Sequence, residues 1–272
     1  MRHIMSYDIY IVGIGIKWIE HITLEVDRVL GFCKEILYIE RAPGIEEYFA
    51  EKADFVTNLT DLYSEDSERT ETYHEMATRV VDSALEHSPV AFALYGHPTI
   101  YAYPPFLVRE MAASLGLSVK LLPGISALDC LFCDLAIDPS VNGIQMFEAT
   151  DLLLREHPIN TAAATVIWQI GSLETALFSS ARSAASRFDR FRDYLLRFFP
   201  EHHPIYAVYS QPHPMLKSQV HKFEISKIEQ FSTVLHSAVT LYLPPRMPSE
   251  VKNVELLSKL QDPNYLRNLT AT

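Results

Sequence analysis

The sequence predicts an α/β protein built of two α/β domains, and three observations predict it. Over about residues 1–124, short apolar runs that stop at glycine or proline alternate with longer amphipathic segments. That is the pattern of a parallel sheet covered by helices on both faces. Beyond about Leu135 the apolar runs recur with fewer intervening helices, as in a more mixed sheet. The third observation is size: 272 residues, 48% hydrophobic and 21% charged, can bury two modest cores or one large one. The expected division is an N-terminal domain over 1–124, a second domain over 125–245 and a tail over 246–272.

The elements follow in order. Asp8-Ile9-Tyr10-Ile11-Val12-Gly13 reads as a buried strand, since an unbroken apolar run leaves neither face for water. A helix is expected from about Glu20 to Leu30, with Ile22, Leu24, Val26, Val29 and Leu30 apolar, and Ile36–Ile39 reads as a second strand. Arg69 to Glu86 is strongly helical. Val90–Tyr95 is a fully apolar strand ending at Gly96-His97-Pro98; a helix from about Phe106 to Leu115 then leads into the strand Ser118–Leu122 and Pro123-Gly124. A helix beginning near Ile125 carries Cys130 and Cys133. Gly143–Ala149, Thr165–Gly171, Ile205–Tyr209, Ser218–Phe223 and Ala238–Leu243 read as strands, and Ala184 to Phe198 as a helix with its aromatic residues on one side. The polar tail from Pro244 is broken by prolines. In a sheet of this kind ligands sit at the carboxyl ends of the strands, here the loops Gly13–Ile16, Tyr95–Ile100 and Pro123–Ala127.

Charge and composition exclude several classes. Lys+Arg 23 against Asp+Glu 34 gives a net charge of −11, the wrong sign for a nucleic-acid backbone or an anionic membrane surface. The longest stretch free of Asp, Glu, Lys and Arg, His87 to Val108, is interrupted by four prolines, Gly96 and His97, which a lipid-exposed helix would not carry. Met1 to Tyr10 lacks the basic start, apolar run and cleavage site of a secretory signal. Three cysteines, Cys33, Cys130 and Cys133, make no disulfide framework. The expectation is a reduced, cytoplasmic protein.

Each motif has a bland alternative. Gly13-Ile14-Gly15 after a strand could open a dinucleotide fingerprint, but the third glycine would fall at Trp18. The steric demand of that motif fails, and a tight turn after a buried strand stays open. Cys130-Leu131-Phe132-Cys133 has redox or zinc spacing without a second pair, so buried cysteines on a core helix are expected. His202, His203 and His213 sit among prolines with no carboxylate at ligand spacing and read as surface or loop histidines; no metal site is expected. In the charged run Ser64 to Glu75, Arg69 and Tyr73 are four apart and share a helix face that continues through Met76 and Val80, with Tyr63 just before it. A guanidinium beside a phenol favours phenolate, giving a possible base.

Together the loops resemble the tetrapyrrole methylase superfamily, a class of S-adenosylmethionine-dependent methyltransferases. The resemblance covers about Tyr7 to Pro245. It rests on Val12-Gly13-Ile14-Gly15, Tyr95-Gly96-His97-Pro98, Pro123-Gly124-Ile125-Ser126-Ala127 and Trp168-Gln169-Ile170-Gly171. The superfamily usually has proline and glycine where Ile16 and Lys17 stand, and often an acidic residue at His97. Gly13–Lys17 leading to His21-Ile22-Thr23-Leu24-Glu25, and Phe147–Leu154, are similar instead to the borosin branch, the peptide-backbone N-methyltransferases. Tyr63, Arg69 and Tyr73 match that branch's tyrosine–arginine–tyrosine pattern.

The resemblance implies a class III methyltransferase fold with the cofactor in a cleft between the two domains. It implies S-adenosylmethionine as methyl donor, S-adenosylhomocysteine as product and no metal. Carried over residue by residue, the cofactor contacts are Tyr95, His97, Ile100, Ser126, Ala127 and Gln169, with Ala207, Val239 and Thr240 from the second domain. Tyr63, Arg69, Tyr73 and Tyr95 are the expected catalytic group. An amide nitrogen is a poor nucleophile because its lone pair is delocalised into the carbonyl. Tyr73, poised by Arg69, would take its proton; Arg69 would offset charge on the amide oxygen, and Tyr63 and Tyr95 would shape the pocket. Fused borosins carry their own substrate peptide, whereas the short tail after Pro245 looks like the split form. A separate precursor peptide bound to each subunit of a homodimer is therefore expected. A small-molecule or tetrapyrrole methyltransferase and a noncatalytic peptide-binding scaffold are the alternatives.

Overall fold

Five parallel strands make the first sheet: β1 (Ile9–Gly13), β2 (Glu35–Ile39), β3 (Phe55–Asn58), β4 (Val90–Leu94) and β5 (Val119–Leu122), in the order β3-β2-β4-β1-β5. They come from a computed structural model that describes residues 7–17, 19–179, 181, 183–247 and 250–269. Met1 to Ser6 and Trp18 lie outside the described residues. Every residue of β1 and β4 is buried, which is why both read as unbroken apolar runs. Ile9 and Ile11 face α3 (Arg69–His87) and α4 (Pro104–Ser114) through Met76, Val80 and Val108. Tyr10 and Val12 face α1 (Leu24–Leu30) and α2 (Ile45–Ala50) through Val26, Leu30, Ile45 and Phe49. One face per strand parity is the sheet's period-2 rule applied to two helical layers.

Local chemistry sets the helix ends. Residues Ile19–His21 form a separate 3-10 turn, and α1 starts later than the sequence pattern suggests because the Thr23 hydroxyl accepts from the Val26 amide at 3.2 Å. Pro104 and Pro105 occupy the first turn of α4, where the missing amide hydrogens have no intrahelical partner to lose, so that helix starts two residues before Phe106. In α3, Met76 and Val80 are buried and Arg69 and Tyr73, which share their face, are half-buried; Thr72 is buried beside them.

The second sheet is mixed. β6 (Ile144–Glu148) and β7 (Ala164–Trp168) pair in parallel, while β10 (Thr240–Leu243), β8 (Pro204–Tyr209) and β9 (Gln219–Glu224) add antiparallel in the order β6-β7-β10-β8-β9. One face carries α6 (Ala149–Leu154) and α7 (Asp189–Leu195), packing Leu152, Phe188, Phe191 and Leu195 on Ile205, Leu241 and Leu243. The other carries α5 (Ala127–Leu135), whose Leu131 meets Val166 and Trp168. The helix expected over Ala184–Phe198 is a 3-10 turn, Ala185–Phe188, followed by α7.

Several elements carry no sequence signal. β3 is a half-exposed edge strand of mixed character, α2 and α6 have six residues each, and the tail forms α8 (Val254–Leu260) and α9 (Pro263–Asn268) with no buried residue. Two other readings need correction. Cys130 is buried but Cys133 is exposed, and both are free, because α5 turns only its inner face to the sheet. His203 is buried, stacked on Phe199 with centroids 4.5 Å apart and with Nε2 2.9 Å from the Pro244 carbonyl. Among the described residues, no helix is long and apolar enough to cross a membrane.

Candidate active site

Three loops at the carboxyl ends of β1, β4 and β5 meet at glycines. Gly15 and Gly96 exchange backbone hydrogen bonds (3.2 and 2.9 Å) with φ of +81° and +71°, a region that favours glycine. A Cβ on Gly13 would lie 2.5 Å from the Gly96 oxygen, and one on Gly124 would lie 2.4 Å from that same atom. The bare backbones let the loops close to contact and leave a cavity of about 190 Å³ against the second sheet.

Eight of the nine residues expected to hold the cofactor line this cavity. Tyr95, His97 and Ile100 come from the loop after β4, Ser126 and Ala127 from the start of α5, and Gln169, Val239 and Thr240 from the second sheet. Ala207, the ninth, is 1% exposed in β8 and packs in the core on the α6 and α7 side. The His97 ring is fixed locally, its Nδ1 accepting from the Thr99 amide at 3.2 Å. Ser126 caps α5 in a reciprocal box with Asp129, donating to Oδ2 at 2.6 Å and accepting from the Asp129 amide at 3.2 Å.

A cleft of about 800 Å³ adjoins the cavity and collects Tyr63, Arg69, Tyr73 and Tyr95. Arg69 and Tyr73 come from the first turns of α3, as their spacing requires. The Tyr63 ring stands edge-on to Tyr73 at 6.3 Å and stacks on Phe178 at 4.8 Å. Arg69 Nη2 donates to the Thr175 carbonyl at 2.7 Å and its Nε to Ala176 at 3.4 Å. Burial, then the neighbouring Tyr73, raises the Tyr63 phenol above its ordinary value; Arg69 opposes the rise without cancelling it. Burial, aided by Glu40, likewise raises Tyr95. The environment of Tyr63 therefore favours its neutral phenol. Desolvation outweighs an attraction shared with two carbonyls.

The wall between cavity and cleft is formed by Tyr95, Tyr101, Ala102 and Gln169, which line both. Tyr101 and Gln169 both sit in the left-handed region, at φ of +50° and +57°, and Gln169 Nε2 donates to the Tyr101 carbonyl at 3.2 Å. Two non-glycine residues held this way store roughly 1–3 kcal/mol each. Tyr101 stacks on Trp168 at 5.2 Å, and burial with Glu148 nearby pushes its phenol up to about 12. Tyr101, Tyr103 and Trp168 are site residues that the sequence reading passed over, because aromatic residues in apolar runs look like core. The left-handed turns at Tyr101 and Gln169 have no glycine to announce them. Among the described residues, no group of three or more His, Cys, Asp or Glu could hold a metal ion.

A methyltransferase fused to a type I borosin cyclic peptide precursor from Coprinopsis marcescibilis is 32% identical over 247 residues, 88% of this chain and 62% of that one. A type II borosin counterpart from Phlebiopsis gigantea is 32% identical over 238 residues, 86% of this chain and 42% of that one. The chain thus spans about three-fifths, or less, of these relatives' length. Among solved structures, uroporphyrin-III-C-methyltransferase from Thermus thermophilus superposes with a TM-score of 0.62 at 17% identity, covering 87% of this chain and 91% of that one. A cobalt precorrin-4 methyltransferase gives 0.61 at 14%, covering 87% and 94%. Both share the fold. The profile of the tetrapyrrole (corrin/porphyrin) methylases matches residues 8–210, and the chain belongs to that family.

Proposed function

We propose that this chain is an S-adenosylmethionine-dependent methyltransferase that methylates backbone amide nitrogens of a ribosomally made peptide. The observation that carries the reading is the shared wall. A glycine-cradled cavity and a tyrosine- and arginine-lined cleft meet at Tyr95, Tyr101, Ala102 and Gln169, so a donor on one side and an acceptor on the other come within reach of each other. The relatives named as methyltransferases fused to borosin peptide precursors support a peptide as the acceptor.

The residues present fit the cofactor. The cavity offers bare backbone at Gly96, apolar surface at Ile100, Ala127 and Val239, and a buried indole N–H on Trp168 without a partner among the described residues. Tyr95, His97, Ile100, Ser126, Ala127, Gln169, Val239 and Thr240 would hold it, and it would supply a methyl group on a sulfonium.

On the other side of the wall, this chain's own residues bind and activate the amide. Arg69, its guanidinium fixed by two carbonyls, stabilises negative charge developing on the amide oxygen. Tyr73, acting in its phenolate form, takes the N–H proton, directly or through a water, and as the neutral phenol passes it to solvent before the next turnover; Tyr63 holds the Tyr73 ring edge-on. Tyr95 and Tyr101 narrow the opening between cavity and cleft and would orient the amide nitrogen towards the donor's methyl group. The expected setting is a homodimer in the cytoplasm with a precursor peptide delivered as a separate chain to each subunit.

Titration calorimetry with S-adenosylhomocysteine, followed by co-expression with candidate precursor peptides and mass spectrometry, tests the reading. It stands if the product binds and the peptide gains mass in steps of one methyl group on main-chain nitrogen. Absence of cofactor binding, or methylation of a tetrapyrrole with every peptide untouched, removes it.

A further inference from the structure

Trp168 ends β7 with its side chain on the cavity wall, 7% exposed, and its Nε1–H is buried with no hydrogen-bond partner among the described residues. Leaving a buried donor unpaired costs about 1–3 kcal/mol, and a phenylalanine would line the same wall without that cost. The other two buried polar atoms left without a hydrogen bond lie elsewhere: His221 Nε2 in β9 and Glu229 Oε2, which is 3.3 Å from an Arg192 nitrogen. Of the three, Trp168 lines the glycine-cradled cavity. Its position is also held with care. Tyr101, in its strained turn, stacks on the indole, and Ile100, Ala127 and Leu128 pack against the cluster of Leu131, Val166 and Tyr242 to which the indole belongs.

The geometry points to Trp168 as a cofactor-binding residue whose indole N–H donates to the nucleoside half of S-adenosylmethionine. An indole can only donate, so its partner is an acceptor. The apolar surroundings admit a flat neutral heterocycle and resist an unpaired carboxylate, whose desolvation nothing cationic in this part of the wall repays. The acceptor is a ring nitrogen of the adenine or an adjacent ribose oxygen, rather than the amino-acid carboxylate.

This rests on the reading of the cavity as the S-adenosylmethionine site, and the test separates the two. On the full chain, calorimetry with S-adenosylhomocysteine is run on wild type and on Trp168→Phe, each checked by its thermal melt. Affinity about tenfold lower in the variant, the equivalent of about 1.4 kcal/mol, supports the inference. Equal affinity overturns it while leaving the cofactor site intact, and no binding to wild type overturns the site reading itself.

A second measurement needs no folded variant at position 168. With nitrogen-15-labelled tryptophan, the chain's two indole N–H signals are assigned by Trp18→Phe. Addition of 5′-methylthioadenosine, which lacks the amino-acid half, shifts the Trp168 signal downfield, whereas methionine does not. A Trp168 signal that ignores the nucleoside, or that answers methionine alone, overturns the inference.

Discussion

Arg69 Nη2 donates to the Thr175 carbonyl at 2.7 Å, fastening the first turn of α3 to the loop that follows β7. Around it, the Arg69 amide donates to Ala176 at 3.0 Å, Asp66 to the Phe178 carbonyl at 3.0 Å, and Phe178 back to Ser67 at 2.8 Å. The guanidinium is therefore both a wall of the cleft and the clasp between the two halves that form it. Its planar fork suits both tasks, since two donors can hold carbonyls while the others face the cleft.

Removing the charge or the phenol should stop transfer without emptying the cofactor cavity. Tyr73→Phe is expected to lower turnover on the cognate peptide by about 10²–10⁴-fold and Arg69→Ala by about 10²–10³-fold. Arg69→Lys, which keeps the charge but loses the fork, falls between wild type and Arg69→Ala. Calorimetry should find S-adenosylhomocysteine affinity unchanged within about threefold, because neither residue lines the cavity. Near-normal methyl incorporation by Tyr73→Phe would refute its role as base.

Gly124→Ala tests the three-loop contact. Its new Cβ would lie 2.4 Å from the Gly96 oxygen and 2.6 Å from the Gly13 carbonyl carbon, backbone atoms that cannot swing aside. A loss of at least about 2 kcal/mol is expected, read as a lower urea midpoint together with lost cofactor binding. Gly31→Ala is the control: its Cβ meets the Arg28 oxygen at 3.6 Å, an ordinary contact, and stability should hold within about 0.5 kcal/mol.

Ser126 borders the cavity, yet its hydroxyl is committed to Asp129 at both ends of the capping box. Ser126→Ala is expected to cost about 1 kcal/mol of stability while weakening S-adenosylhomocysteine less than about threefold. A large loss of affinity with an unchanged melt would show that the hydroxyl serves the ligand instead of the helix.

Alkaline conditions should weaken the fold through its desolvated phenols. Burial pushes Tyr38 and Tyr101 up to about 12 and raises Tyr48, Tyr63 and Tyr95 as well. Their stabilisation is fully present below the unfolded phenol value of about 10. Above it the unfolded chain releases protons that the folded chain retains, so unfolding becomes easier until the folded phenols ionise too. Urea melts should be level from pH 8 to about 9.5 on this account and fall steadily towards about pH 12. Midpoints that held steady across the upper range would contradict it.

How much of this was legible varies by element. β1 and β4 could be read at once, because strands buried on both faces must be apolar at every position. The Arg69–Tyr73 face could be read as well, since four residues make one helical turn. β3 could not, because an edge strand satisfies only half its backbone and needs no apolar run. Nor could Tyr101 and Trp168 be told from core.

The sequence by itself determined the alternation of strands and helices, the glycines on which the loops close, and the helix face that bears a guanidinium above a phenol. These are consequences of burial and of spacing along one chain, which periodicity records. Only the tertiary structure decided that Arg69 is held by Thr175 and Ala176, that the Ser126 hydroxyl is used by its own helix, and that Ala207 faces a core. Backbone carbonyls are alike in every residue, and the side of a sheet on which a cavity opens depends on the packing of the whole. A linear order of side chains encodes neither.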